Sequence, residues 1–327
     1  MKAAYYDANG PAAEVLRFGE VALPDVGPGE VRVKVHASGV NPSDVKTRAG
    51  LTRRMAFERV IPHSDGAGVI EAVGTGVPAG RLGERVWLYN AQWGRPFGSA
   101  AEFVSLPAGL AVPLPDKIGF AEGASLGIAA QTAHAAVFAG GPVDGRTVWV
   151  QGGAGAVGHY AVQFAKWGGA RVITTVSSAE KARHAAAAGA DVVIDYRSED
   201  VPARIDEATR GHGVDRIIEV EFGVNLPVDV AALAPGGSIA IYGSQRNMEP
   251  VLPVAQLWAK CIRLDFLLVY NLPAELRRAA LRDIAAALEA GVLTHRIARR
   301  FALPDIVDAH VAQESGRAIG HVVVDVV

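Results

Sequence analysis

The sequence predicts an α/β protein with two domains, one rich in β-strands and one built on a doubly wound parallel sheet. The chain has 327 residues and is 50% hydrophobic, which is enough to form about two buried cores. Its first third contains short strand-like segments separated by glycine and proline. Beyond Gly140–Arg146, strands alternate with helices, the pattern typical of βαβ units.

The first third predicts a small, irregular β domain. Val31–Val35, with the sequence VRVKV, alternates apolar and charged residues as a half-buried strand does. Val69–Val73 and Arg85–Leu88 are also strand-like. The turns between them are marked by glycine and proline at Gly27–Glu30 and Gly74–Gly80.

The second half predicts a sheet of parallel strands with helices on both faces. The expected strands are Thr147–Gln151, Arg171–Val176, Asp191–Asp195, Arg216–Val220 and Ser238–Tyr242, and the expected helices are Ala156–Trp167, Ala179–Ala188 and Ala274–Ala290. Glycines follow each of these helices, as is common just past a helix end. An Ala-rich helical segment begins near Phe120, and the tail GHVVVDVV predicts a last strand.

Composition excludes several classes of protein. The 32 basic and 34 acidic residues give a net charge of −2, and no basic block is present, which argues against a nucleic-acid partner. The single cysteine, Cys261, excludes a disulfide framework and a four-cysteine zinc lobe. No apolar run reaches the roughly 18 residues of a membrane span, and the first residues lack a secretory signal. We therefore expect a cytoplasmic protein without a membrane partner.

The stretch GGAGAVG predicts a dinucleotide site. Gly153, Gly155 and Gly158 match G-x-G-x-x-G, with a strand before them and an amphipathic helix and a second strand after them. The first glycine permits a tight turn, the second lets the backbone approach a pyrophosphate, and the third allows close packing of helix and strand. Ala156 and Val157 lie at the helix N-terminus, whose free N–H groups attract an anion. The alternative is a glycine-rich turn that binds no ligand.

The residues after the second strand predict NADPH. An NAD site usually has Asp or Glu there, whereas this chain has Ser177 and Ser178, followed by Lys181. Tyr196 and Arg197 follow the third strand. A carboxylate would repel a 2′-phosphate by about 4 kcal/mol at ~4 Å and an effective dielectric of about 20. Hydroxyls and a cation reverse that preference.

The same residues have structural alternatives. Ser177 and Glu180 form S-x-x-E, the pattern of a capping box at a helix start. Lys181 has the alternative of a solvated position on the helix surface.

Blocks in fixed order along nearly the whole chain resemble one family. They are GVNPSDVKTRAG, IPHSDGAGVIEAVGTGV, GSAAEFVSLP, GIAAQTAHAAVF, GGAGAVG, GAxxVIDYRSED and LAPGGSIAIYGS. Together they resemble the medium-chain dehydrogenase/reductases, in the zinc-free quinone oxidoreductase branch. The resemblance implies a GroES-like catalytic domain of residues 1–122 and 271–327, and a Rossmann NADPH-binding domain of residues 123–270, with the active site in the cleft. It also implies a homodimer through an edge strand, for which Cys261–Tyr270 is the candidate.

The resemblance also allows a test for catalytic zinc, which needs three protein ligands. Zinc enzymes of the superfamily have a cysteine where this chain has Asn41. Aligned on the shared G-A-G, Ser64 stands at the position of the ligand histidine, and His63 is displaced by one residue. Such a slip in an extended segment turns a side chain to the opposite face. We expect no metal.

Three residues of the N-P-S-D-V-K block are the catalytic candidates. The family places Asn41 near the nicotinamide, where its amide would hydrogen-bond a carbonyl oxygen that gains charge; the alternative is a cap of the turn. Many relatives have tyrosine where this chain has Lys46. A lysine there either polarises a carbonyl, attracts an anionic substrate or points to solvent. Asp44 is expected to pair with Lys46.

The resemblance assigns further cofactor contacts at six positions: Thr132, Gly243, Ser244, Phe266, Leu268 and Arg317. Thr132 matches a residue near the nicotinamide ribose, and Gly243 and Ser244 follow the fifth strand, at the edge of the sheet that holds cofactors. Phe266 and Leu268 have packing in the core or in a dimer as an alternative. Arg317 matches a position near the 2′-phosphate, with an ordinary surface arginine as the alternative.

Three functions follow from these patterns. The first is NADPH-dependent reduction of a quinone or a related electron-poor carbonyl. The second keeps the fold and reduces the C=C bond of an enone or enoyl thioester. The third is a non-enzymatic protein that binds NADPH. The substrate in the first two is a small molecule.

Overall fold

A computed structural model describes residues 1–326. The strands are β1 (Lys2–Tyr5), β2 (Arg17–Glu20), β3 (Glu30–Val40), β4 (Asp65–Val73), β5 (Arg85–Leu88), β6 (Phe103–Pro107), β7 (Ala111–Pro113), β8 (Thr147–Gln151), β9 (Arg171–Val176), β10 (Val192–Asp195), β11 (Val214–Glu219), β12 (Leu233–Ile241), β13 (Arg263–Phe266), β14 (Ile297–Ala302) and β15 (His321–Asp325). The helices are α1 (Ala12–Val15), α2 (Pro42–Arg48), α3 (Phe120–Gly123), α4 (Gly127–Phe138), α5 (Ala156–Trp167), α6 (Ala179–Ala187), α7 (Val201–Thr209), α8 (Phe222–Ala232), α9 (Val254–Ala259), α10 (Ala274–Ala290) and α11 (Ile306–Glu314). None of the helices in the described part of the chain has the length and hydropathy that a membrane crossing requires.

The chain forms two compact units. The first contains Met1–Ile128 and the residues from His295 onward, and the second contains Ala129–Thr294. The sequence predicted changes of domain after residues 122 and 270. Both changes fall later in the structure, after Ile128 and after Thr294, and the second therefore follows α10. Arg277 on α10 ties this helix to the second unit, since its guanidinium donates to the Val269 carbonyl at 2.7 Å and to the Gln131 side chain at 3.0 Å.

The first unit is built on a seven-stranded sheet. Its order is β14-β15-β3-β4-β5-β7, with β6 paired to β3, and only the β14–β15 pair is parallel. The predicted alternation along Val31–Val35 is confirmed: the three valines are fully buried, and Lys34 is exposed. Strands β1 and β2 form a separate antiparallel pair.

The second unit contains a six-stranded sheet in the order β10-β9-β8-β11-β12-β13. All of its pairs are parallel, which confirms the predicted doubly wound fold. The predicted bounds of β8, β9, α5 and α10 agree with the structure. Strands β9 and β10 lie on one side of β8, and β11 to β13 lie on the other, so the order of the strands reverses between β8 and β11. In a doubly wound sheet such a reversal leaves a crevice at the carboxyl ends of the two strands.

Candidate functional site

The glycine-rich loop joins β8 to α5, and its glycines differ in what surrounds them. A Cβ on Gly153 would lie 2.1 Å from Thr174 Oγ1, and one on Gly158 would lie 2.2 Å from the Gly152 carbonyl oxygen. Gly155 is exposed, and a Cβ there would have only the Gly152 oxygen near it, at 3.3 Å. The first and third glycines are therefore required by packing within the protein. The second leaves open backbone at the start of α5, where a pyrophosphate fits.

The first turn of α5 supplies donors for that anion. Gly155 is the N-cap residue, and the first intrahelical bond runs from the His159 N–H to the Gly155 carbonyl at 2.8 Å. The N–H groups of Ala156 and Val157 precede this bond, and both residues are partly exposed. The loop thus has the open N–H groups and the helix dipole that a phosphate site needs.

Ser178, and not Ser177, caps α6. The helix begins at Ala179, and Ser178 Oγ accepts from the backbone N–H of Lys181 at 3.3 Å. The predicted alternative of a capping box made by Ser177 and Glu180 is therefore wrong, because the helix starts one residue later than that box requires. Ser177 Oγ instead accepts from Lys181 Nζ at 3.0 Å, so this ammonium is directed toward the end of β9.

Tyr196 lies beside the same strand end. Its backbone N–H donates to the Val176 carbonyl at 3.1 Å, and its side chain is 54% exposed, which leaves the ring open to a ligand. Asp195 ends the neighbouring strand β10, and its carboxylate accepts from the Arg197 N–H at 3.0 Å. The end of β9 itself carries hydroxyls and an ammonium. The arrangement fits an anionic group better than a pair of ribose hydroxyls.

Gly243 and Ser244 follow β12 at the carboxyl edge of the same sheet. The Gly243 carbonyl accepts from the Phe222 N–H at 3.1 Å, and a Cβ on Gly243 would lie 2.3 Å from the Val220 oxygen. Ser244 Oγ accepts from the Gly223 N–H at 3.0 Å. These contacts fix the loop after β12 against the loop after β11.

The remaining predicted cofactor residues lie in different places. Thr132 is buried on α4. Phe266 and Leu268 are 70% and 51% exposed at the outer strand β13, so the alternative of core packing is wrong for both. Arg317 is exposed after α11 in the first unit, where its N–H donates to Ser315 Oγ at 3.2 Å.

Asn41 and Asp44 cap α2 in the first unit. Asn41 has the extended backbone that Pro42 predicts, with ψ 157°, and Asp44 Oδ2 accepts from the Asn41 N–H at 2.8 Å. The capping role is thus present in the structure. Burial raises the pKa of Asp44 to about 7, against hydrogen bonds from Asn41 and Ser64 and the charge of Arg53. Lys46 lies half-buried on the same helix.

Asp65 is a site residue that the sequence reasoning missed. Its Oδ2 accepts from Asn41 Nδ2 and from the Ile128 N–H, both at 2.9 Å, and its Oδ1 is buried without a hydrogen-bond partner. Burial raises the pKa of Asp65 well above its usual range, against the hydrogen bonds from Ile128 and Asn41. The available signal was an acidic residue inside the small-residue block SDGAG.

His63 belongs to a buried hydrogen-bond network. Its Nδ1 lies 2.8 Å from Ser38 Oγ, and its Nε2 lies 3.0 Å from His310 Nε2. Burial lowers the pKa of His63 to about 3, so the ring is neutral. Ser64 is buried. Within residues 1–326, no group of three or more His, Cys, Asp and Glu side chains has an arrangement that could hold a metal ion.

A second buried cluster, in the second unit, was also missed. Glu219 at the end of β11 and Asp229 on α8 are both fully buried, and Gln151 at the end of β8 donates to Asp229 Oδ1 at 2.5 Å. The signal in the sequence was an aspartate within the otherwise apolar run of α8, LPVDVAAL.

Comparison with known proteins agrees with this geometry. Residues 27–116 match the family "Alcohol dehydrogenase GroES-like domain", and residues 156–286 match "Zinc-binding dehydrogenase". Human quinone oxidoreductase is 30% identical over 93% of this chain and 91% of its own length. The 2-methylene-furan-3-one reductase of Solanum lycopersicum is 32% identical over 76% of this chain and 67% of its own length.

Solved structures are similar over the full length. An NAD-dependent alcohol dehydrogenase has a TM-score of 0.91 at 28% identity, and it and this chain cover each other completely. The mycobacterial protein Rv1454c, complexed with NADPH, has a TM-score of 0.88 at 32% identity, again with complete coverage of both chains. The chain is thus an oxidoreductase with a GroES-like and a Rossmann-type unit. It belongs to the medium-chain dehydrogenase/reductase superfamily, in the quinone oxidoreductase branch.

Proposed function

We propose that this protein is a metal-independent reductase that uses NADPH to reduce a quinone or a similar electron-poor carbonyl. The choice of NADPH rests on one observation at the end of β9: Lys181 Nζ donates a hydrogen bond to Ser177 Oγ at 3.0 Å. Similar structures include both an NADPH complex and an NAD-dependent enzyme. The choice therefore rests on the residues of this chain.

The residues of the second unit would hold the cofactor. Gly155 and the first turn of α5 would bind the pyrophosphate, and Ser177, Lys181 and Tyr196 would bind the 2′-phosphate. Gly243 and Ser244 border the same crevice. When bound, NADPH supplies a hydride from its nicotinamide ring. The protein contributes position and electrostatics.

The residues around α2 would act on the acceptor. Asp65, whose pKa is raised by burial, holds the Asn41 amide by accepting from Nδ2 at 2.9 Å. We assign Asn41 to the acceptor oxygen through the amide N–H that does not donate to Asp65, and Lys46 to the charge that develops on that oxygen. Asp44, with a pKa raised to about 7, can hold or release a proton near neutral pH.

Metal independence rests on residue chemistry. Asn41 and Ser64 stand where zinc enzymes of the superfamily have a cysteine and a histidine. The match to "Zinc-binding dehydrogenase" covers residues 156–286, which contain neither position. Metal analysis of the purified protein tests this point. Zinc at one equivalent per chain, with activity lost on chelation, would contradict it.

Reduction of a C=C bond is the second candidate. Its support is the similarity to the tomato 2-methylene-furan-3-one reductase. Both reactions place a hydride on a conjugated acceptor, so the cofactor site serves either one.

A panel of acceptors separates these functions. NADPH oxidation would be followed with quinones, enones and enoyl thioesters, each at matched concentration. We expect the highest kcat/KM with quinones. Preference for enones would support the second candidate, and tight NADPH binding without turnover of any acceptor would support a non-enzymatic role.

We also propose a homodimer through β13. This strand lies at the edge of the six-stranded sheet, and Phe266, its last residue, is 70% exposed. An unpaired apolar edge is usually covered. Light scattering tests this assembly: the expected mass is twice that of the chain, and Phe266→Asp should lower it to the monomer mass. The cytoplasmic location remains a prediction.

A further inference from the structure

A network of hydrogen bonds runs along the carboxyl edge of the six-stranded sheet. It begins at Gln151, the last residue of β8 and the neighbour of the glycine-rich loop. Gln151 Nε2 donates to Asp229 Oδ1 at 2.5 Å, and Gln151 Oε1 accepts from Asn225 Nδ2 at 2.6 Å. Asn225 Nδ2 also lies 3.1 Å from Glu219 Oε1. Each acidic side chain therefore has its own amide partner, and the two amides are hydrogen-bonded to each other.

The two carboxyl groups are neighbours in the protein interior. Glu219 and Asp229 interact through their side chains, and one oxygen of each carboxyl, Glu219 Oε2 and Asp229 Oδ2, is buried without a hydrogen-bond partner. Two carboxylates have no hydrogen to offer each other, so a hydrogen bond between them requires a proton on one of the two. If the pair were ionised and had no such proton, two like charges would lie together in the protein interior, where neither side chain is exposed to solvent.

The hydrogen-bond network continues to the loop after β12. The Glu221 N–H donates to Glu219 Oε1. The Glu221 carboxylate in turn accepts from the N–H groups of Gln245 and Arg246, at 2.8 and 2.9 Å. These residues directly follow Ser244. The contacts thus connect the loops that follow β8, β11 and β12, which together border the crevice.

We propose that Glu219 and Asp229 form a carboxyl pair that shares one proton, and that this pair is a positioning element which holds the three cofactor-binding loops in register. The pair lies behind the loops and acts through Gln151, Asn225 and Glu221. The proposal rests on the proposed dinucleotide site, but it is independent of the acceptor and of the choice between NADPH and NADH.

The pair must stay protonated to act in this way. Burial is the main cause that raises the pKa of both carboxyls, and for Asp229 the neighbouring Glu219 raises it further. Tyr242, the residue after β12, donates its backbone N–H to the Glu219 carbonyl at 3.1 Å. Burial and the Glu219 carboxyl raise the Tyr242 pKa as well, so the phenol remains neutral. Glu221 contributes its backbone N–H to the pair, while its carboxylate is held by backbone N–H groups of the next loop.

Binding measurements with matched variants test the positioning role. Asp229→Asn keeps the shape and offers an amide N–H to Glu219, so the Kd for NADPH at pH 7 should stay within about twofold. Asp229→Leu removes both contacts and should raise that Kd by about tenfold or more, with KM for the acceptor unchanged. Asp206→Asn, on the exposed face of α7, is the control. Wild-type affinity in a folded Asp229→Leu protein would overturn the proposal.

The shared proton has tests that do not need the leucine variant. The NADPH Kd of the wild-type protein should rise at alkaline pH more steeply than that of Asp229→Asn, because only the wild-type pair can lose its proton. Infrared spectroscopy at pH 8 should show a protonated carboxyl band that Asp229→Asn removes. Identical alkaline profiles, or no difference in this band, would overturn the proposal. If the wild-type protein binds NADH and not NADPH, the choice of cofactor fails, and the same comparisons made with NADH still decide the role of the pair.

Discussion

At the scale of single residues, the end of β9 shows how a one-residue shift changes a role. The S-x-x-E pattern assigned the cap to Ser177, but the helix starts at Ala179 and Ser178 is the cap. Because Ser177 does not cap the helix, its hydroxyl accepts a hydrogen bond from Lys181 Nζ. The cofactor hypothesis needed only the absence of an acidic residue and the presence of a cation, so it is insensitive to this shift. The capping alternative depended on the helix boundary, which sequence patterns define poorly.

The Lys181 side chain gives the first prediction. Lys181→Ala should raise the Kd for NADPH by about tenfold, or about 1.4 kcal/mol, since it removes the ammonium at the end of β9. The Kd for NADH should not change. Titration of cofactor fluorescence measures both constants. Arg183→Ala, on the exposed face of the same helix, is the control. An equal loss for both cofactors would contradict a role at the 2′-phosphate.

Gly127 gives a second prediction in the first unit. A Cβ there would lie 2.2 Å from Asp65 Oδ1 and 2.6 Å from the Leu88 carbonyl oxygen. Gly127→Ala should therefore lower the free energy of unfolding by about 1–3 kcal/mol, as other overpacked sites do. Gly109→Ala, where nothing lies within 4 Å of the added Cβ, should leave it nearly unchanged. Urea denaturation measures both values. Equal stability of the two variants would show that the site can expand.

At the scale of elements, the β8–loop–α5 segment was the most predictable part of the molecule. Its bounds agree with the structure because a buried strand, a glycine turn and an amphipathic helix are local patterns. The contact between Glu219 and Asp229 was not predictable. It depends on the rotation of α8 above the sheet, which periodicity does not define to the accuracy of a hydrogen bond.

The fingerprint glycines should respond differently to alanine. Gly155→Ala should change the free energy of unfolding by less than about 1 kcal/mol, since its Cβ would meet a single atom, the Gly152 oxygen at 3.3 Å, and should raise the Kd for NADPH by about tenfold. Gly158→Ala should destabilise the second unit by about 1–3 kcal/mol, because its Cβ would meet the Gly152 oxygen at 2.2 Å. Thermal unfolding and cofactor titration separate the two effects. If Gly155→Ala binds NADPH normally, the pyrophosphate does not lie against this backbone.

At the scale of the whole molecule, the order of the motifs predicted the two units, but the buried polar groups decide how stability depends on pH. Burial raises the pKa of Asp65 and Asp229 and lowers that of His63 to about 3. A carboxyl whose pKa is raised in the folded state adds most to the free energy of unfolding below its unfolded pKa of about 3.9. This contribution is lost as pH rises. A histidine whose pKa is lowered in the folded state adds most to the free energy of unfolding above about pH 6.5. This contribution is lost as pH falls.

These opposite signs predict the shape of the pH profile. Between about pH 4 and 6.5 the histidines and carboxyls oppose each other, and above about 6.5 only the carboxyls bind more protons in the folded state. The free energy of unfolding should therefore fall as pH rises from 6.5 to 8.5. Asp229→Asn should make this slope shallower by up to about 1.4 kcal/mol per pH unit, since one group no longer has to take up a proton on folding. Urea denaturation at three pH values measures the slope, with Asp206→Asn expected to match the wild type. If Asp229→Asn leaves the slope unchanged, both carboxyls of the pair are already ionised in the folded protein. Neighbouring groups, and not a shared proton, would then stabilise their two negative charges.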